Sequence, residues 1–182
     1  MTRVIIAVLF IIVSKTIVFG QNSPFDEKTI YSRVISAFLR NLNTEEQILV
    51  IQRELDKMDL SEIAFIDSAV LRSLLPLTSF NANRQILDNL VLADYKLIFA
   101  SRKELGEMFK KKSLDSWKDF YKKYPKSGGL LKTSQIYLNS SKTKGLIYIS
   151  ILKGSLGGAG YVIYFDMTAP EIIKLTQEIW VS

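Results

Sequence analysis

The chain has 182 residues, 48% hydrophobic and 23% charged, a balance that fits one globular domain with a buried core and not a disordered segment. It contains neither cysteine nor histidine, which excludes a disulfide framework, a thiolate nucleophile, a cysteine-ligated zinc, the Ser-His-Asp triad and the imidazole general base. The formal charge is +6, and any catalysis would have to rest on carboxylates, lysine, tyrosine or serine, so the composition leans away from an enzyme and gives no reason to expect a metal or cofactor.

The first twenty residues have the three-part layout of an export signal. Met1, Thr2 and Arg3 form a short positive start, and Val4 to Val13 is an unbroken apolar run too short to span a membrane. Val18 and Gly20 suit the small-residue positions of a cleavage site, which places the mature start at Gln21. Lys15 lies late for the apolar region, so an uncleaved anchor is the other reading. The expected organisation is a signal peptide over 1–20 and a single domain over 21–182, periplasmic or extracellular after cleavage. Loss of Arg3 and Lys15 leaves the mature chain at +4.

Ser23, Pro24, Phe25 and Asp26 read as a helix start, with Ser23 as the cap, Pro24 at the first helical position and Asp26 three residues after the cap, for a helix ending near Asn41 to Asn43. Ile30, Val34, Phe38 and Leu42, joined by Tyr31, Ile35 and Leu39, then form one apolar stripe. Gln47 to Leu55 reads as a buried strand, with a second helix as the competing assignment, because Ile48, Val50 and Ile51 are β-branched. Leu60 to Leu75 has helical spacing and is stopped by Pro76, and Asn81 opens a shorter helix to about Leu90. Tyr95 to Ala100 is a strand candidate. Ser101 with Glu104 then makes a capping box for a helix through about Phe109.

After the basic joint at Lys110 to Lys112, Leu114, Trp117, Phe120, Tyr121 and Tyr124 recur at helical spacing, and Pro125, Gly128 and Gly129 end that helix. Such a stripe can stack on sugars or bases, but apolar periodicity more commonly marks the face a helix buries. From Arg102 to Lys132 there are ten Lys/Arg against four Asp/Glu. This window could make a weak contact with an anionic surface, although a solvated helix face explains it as well. Export argues against nucleic acid as the partner.

Thr133 to Leu138 and Leu146 to Leu152 read as strands of a hairpin around the polar loop Asn139 to Gly145, which contains the sequon Asn139, Ser140, Ser141. Tyr161 to Met167 alternates as a third strand, with Asp166 expected on the exposed face. The segment after Pro170 fits a helix or a strand equally well. Between the strands, Gly154 to Gly160 lacks the spacing and the following helix of a phosphate loop. It is expected to be a turn or bulge needing positive φ, or a place where another backbone passes closely. No carboxylate pair stands out as an acid–base couple. A serine–lysine pair from Ser127 or Ser134 with Lys126 or Lys132 is explained as well by the abundance of both residue types.

Trp117, Phe120, Tyr124, Pro125, Ser127 and Gly129 fit the pattern W-x-x-F-x-x-x-Y-P-x-S-x-G. Ser134 follows, Gly154, Leu156, Gly158, Gly160 and Tyr161 fit G-x-L-x-G-x-G-Y, and Trp180 and Ser182 close as W-x-S. In this the chain resembles a group of exported bacterial proteins, over Trp117 to Ser182, about a third of its length. Members often carry a cysteine near the glycine cluster and a Gly-x-Trp turn before the last strand; this chain has Ser155 to Gly157 and Thr168 to Glu171 there, as a divergent member would. The resemblance implies a strand for the last segment and brings no activity with it.

The expected fold is α+β, with N-terminal helices packed on one face of a C-terminal antiparallel sheet of about four strands. The candidate binding residues are Trp117, Tyr121, Tyr124, Ser127, Ser134, Gly157, Gly158, Gly160 and Tyr161. The expected function is a non-catalytic binding or interaction domain of the cell envelope, taking an envelope partner or a small ligand. The alternative is a carboxylate- or serine-dependent hydrolase acting on an envelope polymer.

Overall fold

The structure, a computed structural model, describes residues 25–42, 47–58, 72, 78–79, 87–110 and 114–181. The export segment, all of the expected Leu60–Leu75 helix except Arg72, which is helical, and residues 81–86 of the expected Asn81–Leu90 helix lie outside these residues; Leu87 to Leu90 are described and are not helical.

Helix α1 spans Glu27–Asn41 and is capped by Asp26, whose side chain accepts from the Thr29 amide at 2.8 Å. The cap is therefore Asp26 and not Ser23. The apolar stripe is fully used: Ile30, Tyr31, Val34, Ile35, Phe38 and Leu39 are all buried, each contributing about 1.5–3 kcal/mol by leaving water.

Eight strands form one sheet among the described residues: β1 (Ile48–Gln52), β2 (Thr78–Ser79), β3 (Lys96–Ala100), β4 (Leu130–Thr133), β5 (Tyr137–Leu138), β6 (Lys144–Leu152), β7 (Gly158–Asp166) and β8 (Ile173–Val181). The mixed α+β class stands, but a sheet of four antiparallel strands was too small an expectation. Strand β1 pairs in parallel with both β3 and β4, while β4 through β8 pair antiparallel. Parallel pairing follows from the connection. Between β3 and β4 the chain runs through helices α2 (Arg102–Met108) and α3 (Leu114–Lys123), and parallel strands need a crossover of this kind.

The same crossover corrects the placement of the helices. Alternation along β1 sends Leu49 and Ile51 into the core under α1, with Leu131, Ile149 and Ile163. It sends Val50 to the opposite face, into a second core with Ala100, Leu105, Phe120, Tyr124 and Leu130. Helix α1 thus covers one face and the α2–α3 pair covers the other, instead of all helices sharing one side.

The last segment is strand β8, paired with β7 through irregularities at Gly160/Tyr161 and Tyr164/Phe165. Asp166 is less exposed than alternation predicts, its side chain keeping 13% of its accessible surface. It pairs with Lys144 at 3.3 Å and accepts from the Thr168 amide at 2.9 Å, tying the turn into β8. The Asn139 sequon is occupied structurally too. Its Oδ1 accepts from the amides of Thr143 and Lys144, holding the β5–β6 turn.

Candidate functional site

The edge of β6 is shared by two short strands, and the break between them creates a cleft. Thr133 of β4 stands opposite Ile149, and Tyr137 of β5 stands opposite Leu146. Four steps on one strand thus face three on the other, so the Ser134–Ile136 segment carries one extra residue, as a β-bulge does. The bulge is locked by Ser134. Its amide donates to the Tyr148 carbonyl at 2.9 Å, the Tyr148 amide donates to Ser134 Oγ at 3.0 Å, and that hydroxyl donates to the Gln135 carbonyl at 2.7 Å. From the opposite side of the sheet, the Tyr31 hydroxyl donates to the Ser134 carbonyl at 3.0 Å.

The bulge also captures the chain that continues from β1. The Asp56 amide donates to the Thr133 carbonyl, and the Gln135 amide donates to the Asp56 carbonyl. Asp56, Gln135 and Tyr148 are thereby gathered where parallel strands β1, β3 and β4 end. Ligand sites of parallel sheets lie beyond the carboxyl ends of their strands. Here that position holds a cleft of about 540 Å³ lined by Leu55, Asp56, Lys57, Met58, Arg102, Gln135, Tyr148, Ile179 and Trp180, within the size range of small-molecule sites.

Arg102 enters because it follows the last residues of β3 at the start of α2. Its Nη2 donates to Asp56 Oδ1 at 2.6 Å and to the Leu55 carbonyl at 3.2 Å. Gln52 also donates to Asp56 Oδ1, at 3.1 Å. The α2 terminus itself is spoken for, because the Arg102 amide donates to Glu54 Oε2 at 2.6 Å.

Trp180 arrives from β8, across β7. A Cβ on Gly160 would overlap Trp180 Nε1 and the Tyr148 hydroxyl and would come 2.7 Å from Trp180 Cε2; one on Gly158 would come 3.3 Å from Cζ3. These atoms span both rings of the indole, so the indole lies across two bare glycines with its other face turned away from the sheet. The Trp180 Nε1–H donates to the Tyr148 hydroxyl at 2.7 Å, which fixes the ring about that axis.

The nine residues singled out by sequence do not gather in one place. Gly158 and Gly160 lie beneath the cleft's indole, and Ser134 holds the Tyr148 backbone from behind. Gly158 and Gly160 do not show the positive φ expected of a turn; among the described glycines only Gly129 does, at 124°. At Gly160 the absent side chain makes room for the indole and the Tyr148 phenol, while at Gly158 a Cβ would meet Leu152 Cδ2 at 2.9 Å and the Ile151 backbone carbonyl at 3.0 Å before the indole, so a neighbouring backbone does pass closely there.

Trp117, Tyr121, Tyr124 and Ser127 lie at α3 and just beyond it. Trp117 packs on Phe109 and Phe120, with ring centroids 4.9 and 5.1 Å away, and the Tyr121 hydroxyl donates to the Lys153 carbonyl at 2.8 Å. The Tyr124 hydroxyl donates to Glu104, which also pairs with Lys123 at 2.7 Å. Burial first, and then this carboxylate, push the Tyr124 phenol above its ordinary pKa. The hydroxyl of Ser127 is buried without a hydrogen-bond partner among the described residues.

Tyr161 and Gly157 belong to a smaller hollow of about 280 Å³ on the α1 face, with Leu42, Ile151 and Lys153. Tyr161 stacks edge-on against Phe38 at 5.2 Å. Burial and then Glu178 raise its phenol pKa.

Sequence reasoning did not select Asp56, Lys57, Arg102, Gln135 or Tyr148. They carry no motif and come from four separate stretches. The usable signal was the pairing of two glycines at alternate positions with a tryptophan on the adjacent strand. No family model, curated protein or solved structure matches the chain. Among the described residues, no three carboxylates converge as metal ligands would.

Proposed function

We propose that the chain is an exported, non-catalytic binding domain of the cell envelope, cleaved near Gly20–Gln21, which takes a small ligand in the cleft at the sheet fork. The three-part layout of residues 1–20 supports export. The observation that carries the binding reading is the cleft itself, where an indole held flat on Gly158 and Gly160 meets Arg102, Lys57, Gln135 and the Tyr148 hydroxyl. Membership of the exported group that the C-terminal pattern resembles belongs to the same proposal.

The hydrolase alternative finds less support in this geometry. Asp56, the acid among the described cleft residues, is held by Arg102 and Gln52. The Ser134 hydroxyl is spent on the Gln135 carbonyl and the Tyr148 amide. Two convergent carboxylates, or a serine with a basic partner, are what hydrolysis would require.

The test uses Trp180 as the reporter. In a Trp117→Phe chain, Trp180 is the remaining tryptophan, and its indole N–H gives one resolved signal in a proton–nitrogen correlation spectrum. Addition of a pool of small molecules extracted from the native envelope is expected to shift that signal and raise the melting temperature. A pool that leaves both unchanged would overturn small-ligand binding in this cleft.

A further inference from the structure

The side chains around the cleft differ in what they have already spent. The Trp180 indole donates to Tyr148 and the Asp56 carboxylate accepts from Arg102 and Gln52. The Tyr148 hydroxyl has accepted one bond, which leaves its own hydrogen to give. Arg102 uses Nη2 alone among its guanidinium donors in the bonds that hold it in place, and its side chain keeps 56% of its accessible surface. Lys57 is exposed at the rim. Among the described lining residues two cations face one carboxylate, which gives this lining a positive balance and an excess of donors.

A ligand that fits this set needs three things at once. It needs an anionic group for Arg102 and Lys57, and the planar guanidinium fork matches a carboxylate or a phosphate. It needs hydroxyl groups for the Gln135 amide, which both donates and accepts, and for the Tyr148 hydrogen. It also needs a flat non-polar face to lie on the outward side of the indole, beside Met58 and Ile179. A simple fatty or aromatic acid lacks the hydroxyls, and a neutral sugar lacks the charge. We infer that the cleft binds an acidic sugar, with its carboxylate at Arg102 and Lys57 and its ring face on Trp180. This rests on the binding reading above and names the ligand class for the same site.

The platform explains the glycines as a specificity device. With a side chain at residue 160 the indole could not keep its place, one at 158 would press on it at 3.3 Å, and without the Tyr148 hydroxyl it would be free to tilt. A tryptophan merely filling a core would need neither the bare floor at Gly160 nor a place in the lining of a cleft, and Trp180 is only half-buried.

The experiment titrates the Trp117→Phe chain with glucuronate, with a short oligosaccharide containing glucuronate, and with glucose, following the Trp180 indole signal. Glucuronate or its oligomer is expected to shift that signal and glucose to leave it in place. Lys57→Met, at an exposed position, should weaken binding about tenfold or more, as loss of a charge-assisted contact does. Tyr148→Phe should weaken it while leaving the melting temperature within a few degrees. Tighter binding of the oligomer than of the free acid identifies a polymer unit as the source; equal binding identifies the free sugar acid.

Glucose binding as tightly as glucuronate, or Lys57→Met leaving affinity unchanged, would overturn the acidic-sugar assignment and leave the site standing. No shift with any of the three, when the envelope pool does shift Trp180, would overturn the assignment alone. No shift with sugars or pool would overturn both readings.

Discussion

Tyr31 joins α1 to the bulge that shapes the cleft, and its environment sets a measurable property. Its hydroxyl is buried and donates to the Ser134 carbonyl at 3.0 Å. Replacing it by phenylalanine keeps the ring and removes the bond, so Tyr31→Phe should cost about 1–2 kcal/mol in urea denaturation. Burial drives the Tyr31 phenol well above its ordinary pKa, helped by Glu27, and Tyr124 is raised for the reasons already given. A raised folded pKa favours the protonated form, so this stabilisation is complete below the unfolded tyrosine value of about 10 and is lost as pH climbs past it. Absorbance at 295 nm should therefore show some of the eight tyrosines ionising only as the protein unfolds. All eight titrating together in the folded protein would contradict the burial of Tyr31. At the acid end the sign reverses. Glu104 is held below its ordinary value by hydrogen bonds from Lys123 and then Tyr124. Burial works to raise Asp166, but bonds from Thr168 and Lys144 outweigh it and leave it lowered. Both contributions are present above the unfolded carboxylate range near about 4 and fade as pH falls through the lower folded values.

Elements meet at two glycines whose substitution separates backbone strain from side-chain crowding. Gly129 opens β4 at φ 124°, with the Leu152 carbonyl lying where a Cβ would go. Gly129→Ala is therefore strained twice over and should destabilise by about 1–3 kcal/mol. Gly160 is not in the positive-φ region, and Gly160→Ala acts by displacing the Trp180 indole and the Tyr148 hydroxyl, at a cost of about 1–3 kcal/mol. The two are told apart by Trp180 emission in the Trp117→Phe background: Gly160→Ala should change it and Gly129→Ala should not. The contrast also marks how far the sequence could be read. Helix α1, the Ser101-capped α2, the aromatic α3 and strands β1, β3, β6 and β7 were legible because periodicity and capping are local. Parallel pairing was less so, because it depends on which strands the α2–α3 crossover brings together. The split between β4 and β5 was invisible, since one unpaired residue near Ser134 leaves no trace in alternation. The cleft depends on that split, so its residues could not be found before the fold.

Across the whole molecule, charge adds a surface that is separate from the cleft. The α2–α3 pair carries Lys103, Lys118, Lys122 and Lys123 as exposed residues, with Lys110 exposed between the two helices and Lys126 just beyond them. Part of this charge is already answered: Lys123 pairs with Glu104 at 2.7 Å and Lys110 with Glu107 at 3.8 Å. Exposed pairs of this kind contribute little to stability, but they reduce the field that a distant anionic surface would feel. Arg102, at the start of the same window, is turned into the cleft and held by Asp56. The window therefore offers fewer free charges than its composition implies, and contact with anionic lipid should be weak. Each lysine near such a surface contributes about 1 kcal/mol, within a Debye length of about 8 Å at physiological salt. Sedimentation with phosphatidylglycerol vesicles is expected to carry down the protein at low salt and to lose it near about 0.15 M, with neutral vesicles carrying none. Lys118→Glu with Lys122→Glu, on the exposed side of α3, should abolish the low-salt binding without changing the Trp180 signal. Binding that survives high salt would mean attachment through an apolar surface, and loss of the Trp180 response in the double variant would mean that the helix face and the cleft are one site.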